Sequence, residues 1–269
     1  MDHGTQHVEA TQVQSEGAEF TPVNPLLLID SDVVGIDLGD RHSHVCILSP
    51  EGDEPLEEAK IRTTPEGFLR FFSTREPMRI LLETGTHANW VRRTLSEAGH
   101  HVTVAHARDL RLIHSSKRKS DRLDAKKLAQ LMRMDPSFIT KVDPRPLEME
   151  QHLAVIRSRR ALVNGRTELV NHARGVAKTH GHRFPTSTTN AFPSKARSNL
   201  PEPLRAALNP MLDAIEQLTV QIGMLDDTVN HLAREVYPQS SLLTQVPGVG
   251  NVTALTVMLT VGDPTRFEK

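Results

Sequence analysis

One short stretch decides how this sequence folds: VVGIDLGD, at residues 33–40. Its β-branched and apolar start predicts a buried strand, and the acid Asp37 closes that strand. A second apolar run follows at residues 44–48, and after the turn at 50–53 a third strand is expected at 58–63. Such short links predict an antiparallel meander, because a parallel crossover needs about a dozen residues or more.

The segments after the meander alternate between helix and strand. We expect a short helix opening at Thr64-Pro65, a strand at 79–84, a helix at 87–98, a strand at 101–105 and a helix at 121–134. The predicted fold class is therefore α/β, with a mixed five-stranded sheet covered by helices.

The rest of the sequence is dominated by helix. Long apolar-periodic segments at 147–179 and 204–236, separated by a polar loop at 184–203, predict a helical hairpin or coiled coil. A short apolar helix at 253–261 is expected to belong to a further domain. The predicted organisation has four parts: a disordered tail at 1–28, an α/β domain at 29–146, the hairpin at 147–240, and the start of a further helical domain at 241–269.

Composition excludes several classes of protein. The chain has 269 residues and a formal net charge of −1, which allows one large domain or two of ordinary size. Its single cysteine, Cys46, excludes an intramolecular disulfide and any zinc site built on several cysteines. The apolar stretches are far shorter than the roughly 20 residues that cross a bilayer, so we expect a cytoplasmic protein without a membrane partner.

The net charge hides an uneven distribution. Residues 1–66 hold fourteen acids and three bases, so the remaining residues carry a surplus of ten bases. The bases concentrate at 106–133 and 157–183, which indicates a nucleic-acid-binding surface, although a basic run can also be a solvated helix face. We predict nucleic-acid contacts by Lys117, Arg118, Lys119, Arg122, Arg159, Arg160 and Arg166.

Four acids form the strongest candidate for chemistry: Asp37, Glu83, Asp121 and Asp124. Asp37 and Glu83 end two apolar strands, and Asp121 and Asp124 lie one helical turn apart on a single face. A buried acid is costly unless it is paired or bound to a cation. Carboxylates converging on one point suit Mg²⁺, and a pair of such ions can align an attacking and a leaving oxygen in phosphodiester chemistry.

Glycines and histidines give weaker signals. The turn at 247–250 places Gly248 and Gly250 before a helix, where backbone N–H groups can face a nucleic-acid phosphate, but this turn is also common without a function. None of the fourteen histidines has clear metal-ligand spacing, and we interpret His42 and His44 as surface or core polar residues.

Taken together, these motifs resemble those of a known family. The segments VGID at 34–37, LLETG at 81–85, KSDRLDA at 119–125, PGVG at 247–250 and GDPTRF at 262–267 are similar to the motifs of DEDD-type, RuvC-like insertion-sequence transposases. That family is guided by a bridge RNA and is related to Piv-type DNA invertases. The resemblance covers residues 30 to 269, and the joint pattern is more specific than any one piece.

The resemblance implies a fold, a chemistry and a set of partners. It implies an RNase H-like (RuvC-like) sheet whose Asp37, Glu83, Asp121 and Asp124 hold Mg²⁺ and cleave and transfer DNA strands. It also implies DNA and a structured guide RNA as partners, a homodimer or higher oligomer, and a location at the bacterial nucleoid.

One feature of the family's pattern is missing from this sequence. The family carries a nucleophilic serine in its C-terminal domain, beyond the GDPTRF segment. The last serines here are Ser240 and Ser241, so we expect a C-terminally truncated copy that is inactive alone.

Two other readings stay open at this point. GIDLG at 35–39 also fits the first phosphate loop of actin-like ATPases and sugar kinases, although Asp40 stands where a hydroxyl would help and would repel phosphate. The protein could also be a module that binds nucleic acid through its basic helices without performing chemistry.

Overall fold

The structure is a computed structural model, and it describes residues 30–106, 121–134, 140–142 and 145–262. The predicted tail at 1–28 and the basic residues Lys117, Arg118 and Lys119 lie outside the described residues. The chain divides between residues 144 and 145 into two compact units, called here the N-terminal unit and the C-terminal unit.

The N-terminal unit is built on a mixed five-stranded sheet. Its strands are β1 (Val33–Asp37), β2 (His42–Leu48), β3 (Pro55–Arg62), β4 (Arg79–Glu83) and β5 (His101–Ala105). They lie in the order β3-β2-β1-β4-β5. The first three strands pair antiparallel, whereas β4 is parallel to both β1 and β5. The predicted meander and mixed sheet are confirmed, and the fold is consistent with the RNase H-like class.

Helices cover both faces of this sheet: α1 (Pro65–Phe72), α2 (Ala88–Glu97) and α3 (Asp121–Arg133). Alternate strand residues point to opposite faces, so Ile36 and Leu82 join a core with Phe68 of α1 and Val91 of α2. The other face, which includes Cys46, packs on α3. The sheet is therefore the middle layer of three.

A glycine sets how closely α3 approaches the sheet. Gly35 lies in the middle of β1, and a Cβ atom added there would overlap the carbonyl oxygen of Ala125 and the backbone nitrogen of Ala129. These atoms belong to α3, and backbone atoms cannot move aside as a flexible side chain can. A glycine is required here by close backbone approach, which is a recognised use of glycine within strands.

The C-terminal unit consists of helices. They are α4 (Leu147–Thr179), α5 (Phe192–Ser198), α6 (Arg205–His231), α7 (Ser240–Thr244) and α8 (Asn251–Val261). Near one end of the hairpin of α4 and α6, Val170 packs with Leu212, and near the other end Leu153 packs with Val229 and Leu255. The predicted hairpin is confirmed, and α8 packs against it. No helix among the described residues is long and apolar enough to cross a membrane.

The predicted loop at 184–203 is wrong in part, because it contains α5 and a short 3₁₀ turn at Glu202–Leu204. Proline stands near the first position of α5, and Phe192 is fully buried against Phe184. Burial of Phe192 and Ala196 in the hairpin core stabilises this short helix. The surrounding Ser, Thr and Asn residues are typical of a loop, so the sequence alone did not indicate this helix.

A buried histidine in the N-terminal unit gives a pH-dependent stability. Nδ1 of His100 accepts a hydrogen bond from the Met78 backbone N–H at 3.2 Å, and Nε2 lies 3.2 Å from the Phe72 carbonyl oxygen. Burial lowers the pKa of His100 below its ordinary value. The unfolded chain therefore takes up a proton more readily than the folded one, so stability is lost as the pH falls below about 6.5.

We expect the Tm of the wild-type protein to fall by about 2–4 °C more between pH 7.5 and 5.5 than that of the variant His100→Gln. Glutamine cannot take up this proton, although the variant should be less stable than the wild type at pH 7.5. Thermal unfolding followed by circular dichroism measures both chains. Equal pH dependence in the two would contradict the assignment.

Candidate active site

An open cleft lies at the ends of the two central parallel strands. Asp37 is the last residue of β1 and Glu83 the last of β4, each one position beyond the paired residues Ile36 and Leu82. The cleft has a volume of about 320 Å³. It is lined by Asp37, Leu38, Asp40, Glu83, Thr84, Gly85, Thr86 and His87. The strand register thus brings together the first two predicted acids.

Buried hydroxyl groups fix the turn that follows Asp37. The Thr63 hydroxyl donates to the Gly39 carbonyl oxygen at 2.8 Å, and the Ser43 hydroxyl lies 2.8 Å from Thr63 Oγ1. The Thr63 backbone N–H also donates to the Arg41 carbonyl oxygen at 3.0 Å. The end of β3 therefore holds the β1–β2 turn, and with it one wall of the cleft.

Helix α3 supplies the other two acids. Asp121 and Asp124 lie in its first turn, and α3 is held against β1 at Gly35. Burial raises the pKa of Asp37 to about 6, and the negative charges of Asp121, Asp124 and Glu83 contribute in that order to the increase. Each of the other three predicted acids therefore acts electrostatically on Asp37.

Positive groups moderate this concentration of negative charge. His44 lies on β2 directly beside Asp37, and its charge opposes the rise in the pKa of Asp37. Its Nε2 atom is 3.9 Å from Asp121 Oδ2. Nζ of Lys127 lies 3.5 Å from Asp124 Oδ1. His44 thus belongs to the site, although its sequence context indicated only a surface or core polar residue.

The donor set suits Mg²⁺ by its chemistry, because all four acids offer carboxylate oxygens. Among the described residues, however, no three His, Cys, Asp or Glu side chains are close enough together to hold a metal ion as they stand. The Asp121 side chain is 70% exposed and Glu83 is also exposed, so both have room to move. The acids converge on one region without forming a closed coordination sphere.

The sequence did not point to His87, which lines the same cleft. His87 immediately precedes α2, and its Nδ1 accepts a hydrogen bond from Nε1–H of Trp90 at 3.1 Å. The spacing of three residues is visible in the sequence. The direction of the ring is not, because it depends on how α2 begins.

The predicted nucleic-acid contacts differ in their surroundings. Arg122 pairs with Glu58, and Arg159 pairs with Asp226. Arg166 donates to Asn190 Oδ1 and to Thr219 Oγ1, both at 3.2 Å. Arg160, by contrast, is exposed on α4. Two of the three predicted arginines of α4 therefore hold the hairpin together, and Arg160 is the one presented to solvent.

The predicted glycine turn of the C-terminal unit lies between α7 and α8. Gly248 adopts a φ of +86°, a conformation that L side chains rarely take, and Gly250 stands at the start of α8 with extended backbone. Asn251, the first residue of α8, donates from its side chain to Asn230 Oδ1 at 2.8 Å. A role of this turn in binding phosphate stays a prediction.

Two family models match this chain. Residues 34–181 match the model DEDD_Tnp_IS110, described as a transposase, and residues 240–269 match the model "Transposase IS116/IS110/IS902 family". The first match includes all four acids and the cleft. The second includes the glycine turn and α8.

Three curated relatives are similar over much of this chain, each at 27% identity. The transposase for insertion sequence element IS1328 of Yersinia enterocolitica aligns with 87% of this chain and 69% of its own length. The putative transposase y4pF/y4sB of Sinorhizobium fredii aligns with 80% and 55%. The transposase for IS1111A of Coxiella burnetii aligns with 56% and 42%. The chain thus spans about two thirds or less of the length of these relatives.

Proposed function

The chain belongs to the IS110-type DEDD transposases, and on that premise we propose that its N-terminal unit holds the cation centre at which DNA phosphodiester bonds are cleaved and joined. Asp37, Glu83, Asp121 and Asp124 are the proposed ligands. The raised pKa of Asp37, caused by burial and by the three other carboxylates, is the observation that supports this most directly. Negative charge concentrated around the Asp37 carboxyl favours a divalent cation as counter-charge.

Mg²⁺ is the proposed cation, and when bound it would polarise a phosphate oxygen and stabilise charge on the attacking and leaving oxygens. The chain's own residues set where this can happen. Asp37 and Glu83 stand at the ends of β1 and β4, while α3 carries Asp121 and Asp124 in its first turn. Without a cation the same acids repel the phosphate backbone, so the site admits DNA only together with Mg²⁺.

The proposed partners are DNA and a structured guide RNA, bound by a homodimer or higher oligomer. Arg160 and the predicted contacts Lys117, Arg118 and Lys119 would neutralise phosphates, which makes binding strongly dependent on salt. Arg122 could join them only by giving up its pair with Glu58. These partners and the Mg²⁺ are proposals drawn from the family, and the carboxylate cluster supports the cation most directly.

We expect the wild-type protein to bind Mg²⁺ saturably, with the variants Glu83→Gln and Asp124→Asn weakening this binding at least about tenfold, since each removes a charged ligand. Calorimetric titration measures the binding. A matched control is Asp227→Asn, which removes the same charge from an exposed position on α6.

Two outcomes would contradict the proposal. If the protein binds DNA with a steep salt dependence but takes up no divalent cation, it is a nucleic-acid-binding module without this chemistry. If it binds nucleotides and not DNA, the phosphate-loop reading of residues 35–39 is correct instead.

A further inference from the structure

From the geometry of the cleft we infer that His87 is a further substrate-contacting residue, whose Nε2–H donates a hydrogen bond to a non-bridging oxygen of the phosphate bound among the acids. The inference rests on the proposed function, because it needs a phosphate held at Asp37 and Glu83. It adds a neutral donor to a site otherwise described by its acids.

The position of the proton on His87 follows from its neighbour. The indole N–H of Trp90 can only donate, so the Nδ1 atom that it meets at 3.1 Å must accept. An imidazole whose Nδ1 carries a lone pair has its proton on Nε2. The tautomer of His87 is thereby fixed, and its one N–H donor is Nε2.

Trp90 is itself anchored in the core. Its ring meets that of Phe68 edge to face, with centroids 5.6 Å apart, and Phe68 is fully buried. The rings of His87 and Trp90 are also nearly perpendicular, at 88°. The imidazole is therefore supported by the apolar core of the sheet, which limits its freedom to turn.

His87 lines the cleft, and among the described residues its Nε2 atom has no partner within hydrogen-bond distance. It lies 3.7 Å from Asp40 Oδ1, which is longer than a hydrogen bond. The Asp40 side chain is 94% exposed, so it can move away when a ligand arrives. A donor that lines the same cleft as Asp37 and Glu83 can meet an oxygen that the acids themselves repel.

A neutral donor is useful in such a place. A lysine or arginine there would pair with the acids and compete with the cation. The imidazole N–H contributes no net charge, and a hydrogen bond to a charged phosphate oxygen is among the stronger kinds. Its expected role is to orient the phosphate, with no proton transferred.

The test measures the affinity of the full chain for labelled single-stranded DNA, with and without Ca²⁺ as an oxygen-ligated cation. We expect His87→Ala to weaken the Ca²⁺-dependent part of the affinity about tenfold, the effect of losing one hydrogen bond to a charged group. His87→Gln, which keeps an N–H donor, should recover to within about threefold of the wild type. His101→Ala is the control, since His101 begins β5 at the opposite end of the sheet.

A second measurement examines the tautomer directly. In protein labelled with ¹⁵N at histidine, the imidazole of His87 should show the Nε2–H form by nuclear magnetic resonance. Trp90→Phe keeps an aromatic ring against Phe68 but removes the indole donor, so a mixture of tautomers and an intermediate DNA affinity are expected. A purely structural role for His87 would not produce this change in the ring nitrogens.

Three results would overturn the inference. If Ca²⁺-dependent binding is intact in His87→Ala, His87 does not contact the phosphate, although the proposed function stands. If Asp40→Ala has the same effect as His87→Ala, the histidine acts by holding Asp40. If the wild type shows neither Ca²⁺-dependent DNA binding nor Mg²⁺ binding, the proposed function fails and this inference fails with it.

Discussion

The variant Gly35→Ala is expected to lower the Tm of the N-terminal unit by about 6–12 °C, because forcing a methyl group against backbone atoms costs about 3 kcal/mol. The added Cβ would overlap backbone atoms of Ala125 and Ala129 and would lie 2.7 Å from Leu128 Cβ. To relieve the overlap, α3 must move away from β1. Asp121 and Asp124 move with it, so Mg²⁺ binding should weaken beyond what the loss of stability explains.

A matched control is available in the C-terminal unit. Gly175 lies within α4, and a Cβ added there meets no atom within 4 Å. Gly175→Ala should therefore raise stability by about 0.5–1 kcal/mol, since alanine is the better helix former. Urea unfolding measures the free energy of unfolding of both variants, which should fall in Gly35→Ala and rise in Gly175→Ala. A Gly35→Ala protein as stable as the wild type would show that α3 does not pack on β1 as closely as described.

Without Mg²⁺ at pH 8, the variant Asp37→Asn is expected to be more stable than the wild type. With Mg²⁺ it is expected to be less stable. The pKa of Asp37 is raised to about 6 in the folded protein. A carboxyl with a raised pKa stabilises the folded state at low pH, and this contribution is lost as the pH rises through 6. Without cation, the Tm of Asp37→Asn relative to the wild type should therefore increase by about 2–4 °C from pH 5 to pH 8, or about 1 kcal/mol.

With Mg²⁺ at ten times its dissociation constant, the wild type should be more stable than Asp37→Asn at pH 8. The wild type gains about 1.4 kcal/mol by binding the ion, while the variant, which has lost the central ligand, gains little. Differential scanning fluorimetry measures the Tm of the wild type and of Asp37→Asn, each in EDTA and in Mg²⁺. Asp227→Asn serves again as the control and should respond to Mg²⁺ as the wild type does. A Mg²⁺-induced shift that persists in Asp37→Asn would exclude Asp37 as a ligand.

The sheet and the positions of Asp37 and Glu83 could be predicted because the relevant signals are local. An apolar run that ends in an acid indicates a strand end, and short links between runs indicate the meander. Parallel pairing of β1 with β4 then places the two acids at one edge of the sheet. The close packing of α3 had a visible signal too, since Gly35 stands in the interior of a strand.

Other features depend on contacts between distant residues. Helix α5 forms because Phe192 is buried against residues such as Phe184 and Leu208, which no short window of sequence reveals. The pairing of Arg159 with Asp226, 67 residues apart, makes this arginine a link between helices, and its contact with nucleic acid stays a prediction. The orientation of His87 depends on the hydrogen bond from Trp90, and therefore on the exact start of α2.

The origin of the four acids on three separate elements has a consequence for the protein during its synthesis. A growing chain that has folded only as far as β5 already carries Asp37 and Glu83, but Asp121 and Asp124 are still to be translated. Domains tend to fold as units while the ribosome is still at work. The proposed cation site is thus completed only when α3 packs on β1 at Gly35, so a nascent chain that still lacks α3 cannot hold a cation with all four acids.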